Sequence, residues 1–506
     1  MNIVILNNET VTFSGEALIT AKVTDDNNNI IKDINFVFVV NETQIDAEFN
    51  NTSGLYQAIY KNDAAGLYVV NITYNEEENL VVKTGTLKNI KGTFTDLANI
   101  IANADPFTTT VLNGDYAYNE EFDSDLVNGI VIDKEIILDG NGSTISGNGL
   151  SRIFNITGGD IILHDTTLRD AVASYGGAVY VDADGEFTGY NVNFINNTAV
   201  YRGGAIYSEG LVQAYYSVFD SNDITFRTKN DDNGGAAIYN NNGFLAISDS
   251  NITNNLKDIV IRNGNAGDLL VGVVVTSGDT FIINSYFANN TGSWGGAISS
   301  LGYMNPEDYT VTIRDSKFEG NNATFGGAIY VESANLIVEN STFENNKGVG
   351  VGSSGTSNTQ GGAIVVHPSG SSATITDSTF IANSANVGGA VSLAGVDSDS
   401  IIENCTFTDN TANDGGAVYL WTQDTAVVTV ANSTFSGNTA GWGNAISTDG
   451  ALALSNNTIS GTSADIGNWG GSIISTLYAV VMNNGTYSYH MSDITLNATV
   501  TDDNGN

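Results

Sequence analysis

Two short motifs recur together along most of this 506-residue chain, and any fold must account for their spacing. The triplet Gly-Gly-Ala begins at Gly176, Gly203, Gly234, Gly295, Gly326, Gly361, Gly388 and Gly415, with a degenerate Gly-Asn-Ala at Gly443. Successive gaps are 27, 31, 61, 31, 35, 27, 27 and 28 residues, and the gap of 61 reads as two periods with one triplet lost. An apolar residue precedes each triplet, at Phe194, Phe219, Ile252, Phe287, Phe318, Phe343, Phe380, Phe407 and Phe435. Three positions later Asn follows every time, at Asn197, Asn222, Asn255, Asn290, Asn321, Asn346, Asn383, Asn410 and Asn438. Leu168 and Ile459 extend the apolar ladder at its ends without the Asn. Self-similarity at such a period marks a repeat architecture.

The unit of about 27 residues alternates like strand, as in ANLIVENSTFENN (334–346), and lacks helical periodicity. Leu336 and Val338 face one way, a bend follows near Asn340, and Ser341 and Phe343 return to that same side. A helix-free unit of short strands buries its apolar face only by stacking on its neighbours, which gives a parallel β-helix. Stacking sets equivalent residues about 4.8 Å apart, so eleven to thirteen coils make a rod roughly 55–60 Å long. The Phe residues become a buried column. The Asn residues are expected at bends, in left-handed backbone, bonding amide to amide along the axis. The Gly pairs supply freedom at another corner.

After each triplet comes Ile or Val, then commonly Tyr. Placing Ile206, Ile329, Ile364, Val391 and Val418 inward puts Tyr180, Tyr207, Tyr239, Tyr330 and Tyr419 on the outer face. The opposite register, Ala inward and Ile outward, is the alternative. An exposed row of rings one coil apart is the candidate glycan-binding surface, because sugars present apolar faces to aromatic rings. The competing reading is that Tyr stacks on Tyr and stiffens the sheet.

Composition fits a rod and excludes several functions. Fifty-six Asp and Glu against 17 Lys and Arg leave a net charge of −39, which repels nucleic acid and anionic membranes. About 65 Asn and 56 Gly accompany only 3 Pro. The single cysteine, Cys405, rules out a disulfide framework and a cysteine zinc site. It falls in the slot of Ser341, Ser378 and Ser433, as a small buried residue would. No apolar run is long enough to span a bilayer, so no membrane insertion is expected within this fragment.

The paired motifs, FxxN and GGA[ILV], resemble the repeats of polymorphic outer-membrane proteins. With their Asn and Ser/Thr richness they are most similar to adhesin-like surface proteins of methanogenic archaea. The resemblance covers about 130–470 and implies a right-handed, pectate-lyase-like solenoid at the cell surface. The partners it implies are a host or neighbouring cell surface, glycans or extracellular matrix.

The flanks read differently. In 1–88, ALITAKV (17–23), INFVFVV (34–40) and GLYVVNITY (66–74) are strands joined by polar turns such as DDNNN (25–29). Tyr68, Val70, Ile72 and Tyr74 share a face, and the pattern resembles prokaryotic immunoglobulin-like β-sandwich modules. Residues 89–129 hold a capping helix, TFTDLANIIANA (93–104), with Thr95 as cap and Leu97, Ile100 and Ile101 on one face. The solenoid is expected over 130–474, starting at IVIDKEIILDGNGSTISG (130–147), with insertions at 222–233, 301–309 and 347–360. Residues 475–506 read as the start of a second, truncated module, since NATVTDDNGN (497–506) nearly repeats TAKVTDDNNN (20–29). The chain is therefore expected to be a fragment of a longer protein.

Candidate chemistry is sparse. The acid pairs Asp182 and Asp184, Asp231 and Asp232, and Asp397 and Asp399 suit general acid–base work, but they sit in Gly/Asn/Ser-rich connections where solvated turn acids are the default. Arg202, Arg227 and Lys229 are the nearest approach to a basic group. His164, His367 and His490 are isolated from one another and form no triad. No catalytic residues and no cofactor are expected, weak calcium binding by turn acids being the one alternative. About seventeen N-x-S/T sequons, among them Asn71, Asn155, Asn196, Asn289, Asn404, Asn432 and Asn456, are glycan acceptors if the protein is exported, or a by-product of Asn and Ser/Thr at bends. The expectation is an extracellular, non-catalytic adhesin-like rod. The alternatives are a polysaccharide lyase or hydrolase on the same scaffold and a passive envelope spacer.

Overall fold

The computed structural model describes residues 2–6, 10–12, 16–40, 43–61, 66–76, 79–89, 92–225, 234–256, 272–301, 309–349, 359–367, 371–396, 399–422, 426–460, 465–476 and 480–481. Internal packing divides the chain into Met1–Asn103 with Gly114–Leu126, and Ala104–Asn113 with Val127–Asn506.

The first unit is built on two sheets. One orders Asn2–Ile5, Glu16–Thr24, Leu55–Lys61 and Glu48–Asn50, and the other Thr10–Thr12, Asn79–Asn89, Gly66–Glu76, Val37–Val40 and Thr43–Asp46. Period-2 alternation buries Ile19, Ala21 and Val23 from the first sheet against Phe38, Val40, Val70 and Ile72 from the second. The expected turn forms at Asp25, whose carboxylate accepts the Asn27 and Asn29 amides at 2.9 Å while Asn28 takes φ 65°. The Tyr68 and Tyr74 side chains lie outside the described ones.

The helix runs Phe94–Asn103 and buries Phe94, Leu97 and Ile101. Its cap is Thr93 rather than Thr95. Thr93 Oγ1 accepts the Asp96 amide, and Asp96 Oδ2 accepts the Thr93 amide, each at 3.1 Å. This reciprocal pair satisfies two amides that the helix start would leave open. Thr95 instead donates its hydroxyl to Asp123 Oδ1 at 2.7 Å.

The second unit is a parallel β-solenoid. A 13-stranded sheet takes one strand per described coil, from Ile130–Ile132 to Ile466–Asn468, every neighbouring pair parallel, with one register shift between Ala394 and Val396. A second sheet takes two short strands per coil, such as Leu211–Tyr215 and Val218–Asp220. In two coils these merge into single ten-residue strands, Asp160–Arg169 and Glu186–Ile195.

Inside, the expected columns form. Phe194 and Phe219 stack at 4.5 Å, and Phe287, Phe318, Phe343, Phe380, Phe407 and Phe435 follow in file at 4.8–4.9 Å. Their planes lie within 4–11° of parallel, and Ile252 fills the break in the file. From Asn197 to Asn438 each ladder amide donates to the next across one coil at 2.9–3.2 Å. The same Oδ1 accepts the backbone amide of the preceding ladder Asn, as Asn383 Oδ1 does from Asn346 at 3.0 Å.

One expectation needs correction. The left-handed residue is the one before the ladder Asn: Asn196, Ser221, Asn254, Asn289, Gly320, Asn345, Ala382, Asp409 and Gly437. That bend turns the ladder Asn inward, where its side chain serves both neighbouring coils. A third column, Ser217, Ser250, Ser285, Ser316, Ser341, Ser378, Cys405 and Ser433, is buried beside it, and Ser341 Oγ accepts the Ser316 amide at 3.2 Å.

The Gly pairs do two jobs. The first takes φ near 60°, as at Gly326 (63°), and the second admits the next coil, since a Cβ on Gly327 would lie 2.1 Å from the Gly362 carbonyl oxygen. The triplet at Gly234 is offset by one: Gly235 holds the left-handed position and Ile238 pairs with Ile206. Gly272 and Val273 stand where the lost triplet belongs, since Val274 pairs with Ile238. The expected insertion tips at 226–233, 302–308 and 350–358, and most of the expected second module at 475–506, lie outside the described residues.

Candidate functional site

Ile206, Ile329, Ile364, Val391 and Val418 point into the solenoid, so the expected register holds. The Tyr row therefore leaves the interior, but it is not an open strip. Tyr207, Tyr239 and Tyr330 are 6%, 0% and 4% exposed, and Tyr180 and Tyr419 are half-buried. The rings stack, Tyr180 on Tyr207 at 5.3 Å and Tyr207 on Tyr239 at 5.7 Å, within a second small core with Val275, Leu301 and Val365.

What covers them is the residue before each Gly pair. The left-handed glycine reverses the chain at the corner and lays that side chain over the sheet. Trp294 stacks on Tyr330 at 5.5 Å, Tyr175 meets Tyr207 edge-on at 5.5 Å, and Phe325 packs on the same cluster. Arg152 lies over Tyr180 at 5.2 Å and Arg202 over Tyr239 at 4.9 Å. Arg152 also donates to the carbonyls of Asn128, Tyr175 and Gly176, and burial lowers its pKa to about 10. The covering column was visible in the sequence as the large residues Tyr175, Trp294, Phe325 and Trp442 ahead of their glycines.

A regular stack of aromatic rings also lies on the two-strand-per-coil sheet. His164, Tyr190 and Tyr215 occupy one register position and stack at 5.0 Å each, with planes 10° and 15° apart. Tyr190 is 36% exposed. Their spacing of 26 and 25 residues was a legible signal, hidden because the position carries no fixed motif. Beside them runs a left-handed column, Asp165, Asn191, Tyr216, Asp249, Asn284, Asp315 and Asn340, continuing through Asp377, Asn404, Asn432 and Asn456. Acid and amide alternate over much of it, and amides bridge to acids, Asn191 to Asp165 and Asn340 to Asp315 at 2.6 Å. The alternation keeps like charges from facing each other across one coil.

The remaining candidates sit apart. Asp182 Oδ1 accepts the amides of Gly158 and Asp184, an ordinary turn, and Asp399 Oδ1 accepts the Val427 amide at 2.9 Å. Asp231, Asp232, Arg227, Lys229, Asp397 and His490 lie outside the described residues. His367 is half-buried with its pKa lowered by burial, its ring 6.0 Å from Tyr330. Cys405 occupies the Ser column, donates to the Glu403 carbonyl at 3.2 Å, and burial pushes its thiol up to about 12. The sequon residues Asn196, Asn289, Asn404, Asn432 and Asn456 are exposed in left-handed backbone. Among the described residues no three of His, Cys, Asp and Glu converge as metal ligands. No described helix is long and apolar enough to cross a membrane, which says nothing of spanning strands.

Residues 247–435 match the family described as right handed beta helix region, so the solenoid is a right-handed parallel β-helix. Residues 191–209 and 432–449 match the Chlamydia polymorphic membrane protein repeat, each spanning one Phe–Asn motif and the glycine triplet that follows it, Gly203 in the first and the degenerate Gly443 in the second. No curated protein and no solved structure matches the chain. These repeats suggest a surface or outer-membrane protein built on a β-helix.

Proposed function

We propose that the chain is the extracellular, non-catalytic stalk of an adhesin-like protein, attaching its cell to other cells, glycans or matrix, with an immunoglobulin-like sandwich ahead of the solenoid. The observation that supports this best is how the repeat spends its side chains. Phe, Asn and Ser columns are consumed in building the interior, and among the described residues no three acids, histidines or cysteines converge, the candidate pairs at Asp182 and Asp399 serving turns and neighbouring amides. A long, regular, negatively charged lateral surface suits display and repeated weak contacts, where avidity replaces a single deep pocket. The likeness to polymorphic membrane protein repeats supports a surface location.

Beads coated with the full chain should adhere to cells or matrix films above albumin-coated controls and release no reducing ends from polysaccharides. Adhesion at the control level would overturn attachment. Sugar release would favour an enzyme on the same scaffold.

A further inference from the structure

The outer face of the two-strand-per-coil sheet is interrupted by a gap one coil wide, and we propose that this gap binds one pyranose ring of a neutral polysaccharide, an inference that rests on the attachment reading above. Burial alternates along Leu211–Tyr215, Phe244–Ser248 and Thr280–Ile283. Gln213 and Tyr215, then Ala246 and Ser248, then Phe281 and Ile283 therefore point outward at the same two positions of successive coils. The middle coil contributes only a methyl and a hydroxymethyl group. Its neighbours stand two coil spacings apart, about 9.6 Å.

Tyr215 on one side of the gap and Phe281 and Ile283 on the other are apolar walls. Tyr215 lies parallel to Tyr190, so it turns a ring face toward the gap, and Phe281 and Ile283 opposite are 38% and 37% exposed. Phe244, tilted against Phe281 at 5.6 Å, closes one end. The polar groups are Gln213, beside Tyr215 in the first wall, and Ser248 on the floor. Gln213 Oε1 accepts from Thr188 at 3.2 Å, which leaves its amide group to donate, and the Ser248 hydroxyl donates to Asp249 at 2.6 Å, which leaves its oxygen to accept.

Tyr216, at the other end, is the anomaly of its column. Asn191 and Asp249 precede and follow it, yet here a bulky residue, 62% exposed, holds φ 54°. Left-handed backbone is costly for such a residue, and strain of this kind collects at binding sites.

A slot with apolar walls and polar edges matches a pyranose, which has apolar faces and a rim of hydroxyls. A phenyl ring would desolvate Gln213 and Ser248 without bonding them. An anionic sugar would meet Asp249 and the −39 net charge.

The test uses the full chain on immobilised mannan, dextran, xylan and cello-oligosaccharides. Ser248→Tyr continues the ring stack and fills the gap, and Tyr216→Asn restores the residue type of its column. Wild type should bind at least one of these polymers, and each variant should bind it about tenfold more weakly. Tyr216→Asn should meanwhile unfold at the same or a higher temperature, which a merely structural tyrosine would not allow. Undiminished binding by folded Ser248→Tyr, or by Tyr216→Asn should Ser248→Tyr fail to fold, overturns the site. So does wild type that binds none of the four. Bead adhesion run in parallel separates the two readings: wild type that adheres but binds no polymer loses this site and keeps the attachment function.

Discussion

Asn346 and Asn383 are 37 residues apart in the chain and 3.0 Å apart in space, one amide donating to the other inside the solenoid. Asn346 also donates to the Phe318 carbonyl, and Asn383 to that of Phe343, both within 3.0 Å. Each ladder amide thus ties its coil both to the one before, through the Phe carbonyl, and to the one after, through the next Asn. Burying so many polar groups is tolerable because nearly every donor and acceptor is paired.

Asn383→Ala should therefore cost more than an ordinary hydrogen bond. It strips an acceptor from the Asn346 backbone and side-chain amides and a donor from Phe343, in a site 0% exposed. A loss of about 3 kcal/mol or more is expected in urea unfolding, since each stranded group costs about 1–3 kcal/mol. A loss below about 1 kcal/mol would contradict the ladder.

Phe343 touches rings on both sides, at 4.9 Å from Phe318 and from Phe380. Phe343→Ala should cost about 3–5 kcal/mol by the cavity it leaves, and Phe343→Leu distinctly less. Equal losses in thermal or urea unfolding would show that the stack is not packed as described.

Cys405 should resist iodoacetamide at pH 8 in the native protein and react only on unfolding, because burial holds its thiol near 12 and little thiolate forms. Cys405→Ser should change stability by no more than about 0.5 kcal/mol, because serine is the residue of that column above and below. Rapid native labelling would place the thiol elsewhere.

Asp414 gives a pH signature. Burial raises its pKa, outweighing the Ser447 hydroxyl and the Trp469 indole, which donates at 3.0 Å. A carboxyl whose pKa is raised by folding favours the native state below its unfolded value, about 3.9, and that contribution is lost as pH climbs through the folded value. Asp414→Asn should consequently be more stable than wild type at neutral pH, with the difference shrinking in acid. Parallel stability-versus-pH curves would refute it.

The solenoid was readable from sequence because stacking forces the same side chain onto the same spot in every coil. Phe343, Asn346 and Gly326 recur for one local reason each: a dry file, a paired amide and a left-handed corner. The inward set Ile206 to Val418 followed from period-2 alternation once one face was known to be buried. The strand-rich first unit was legible in the same way. Non-local packing was not. Nothing in the local alternation at Tyr207 or Tyr330 reveals that Tyr175 or Trp294 folds back over them, because that contact depends on where a glycine corner aims the preceding residue. Thr93 rather than Thr95 capped the helix because Asp96 was spaced to reciprocate and Asp123, 28 residues away, claimed Thr95. The ring stack of His164, Tyr190 and Tyr215, and the gap after it, arise at positions free to vary. Repetition in the chain sets what must be shared by all coils, whereas the outer surface is set by differences between neighbouring coils, which acquire meaning only when stacking brings them side by side.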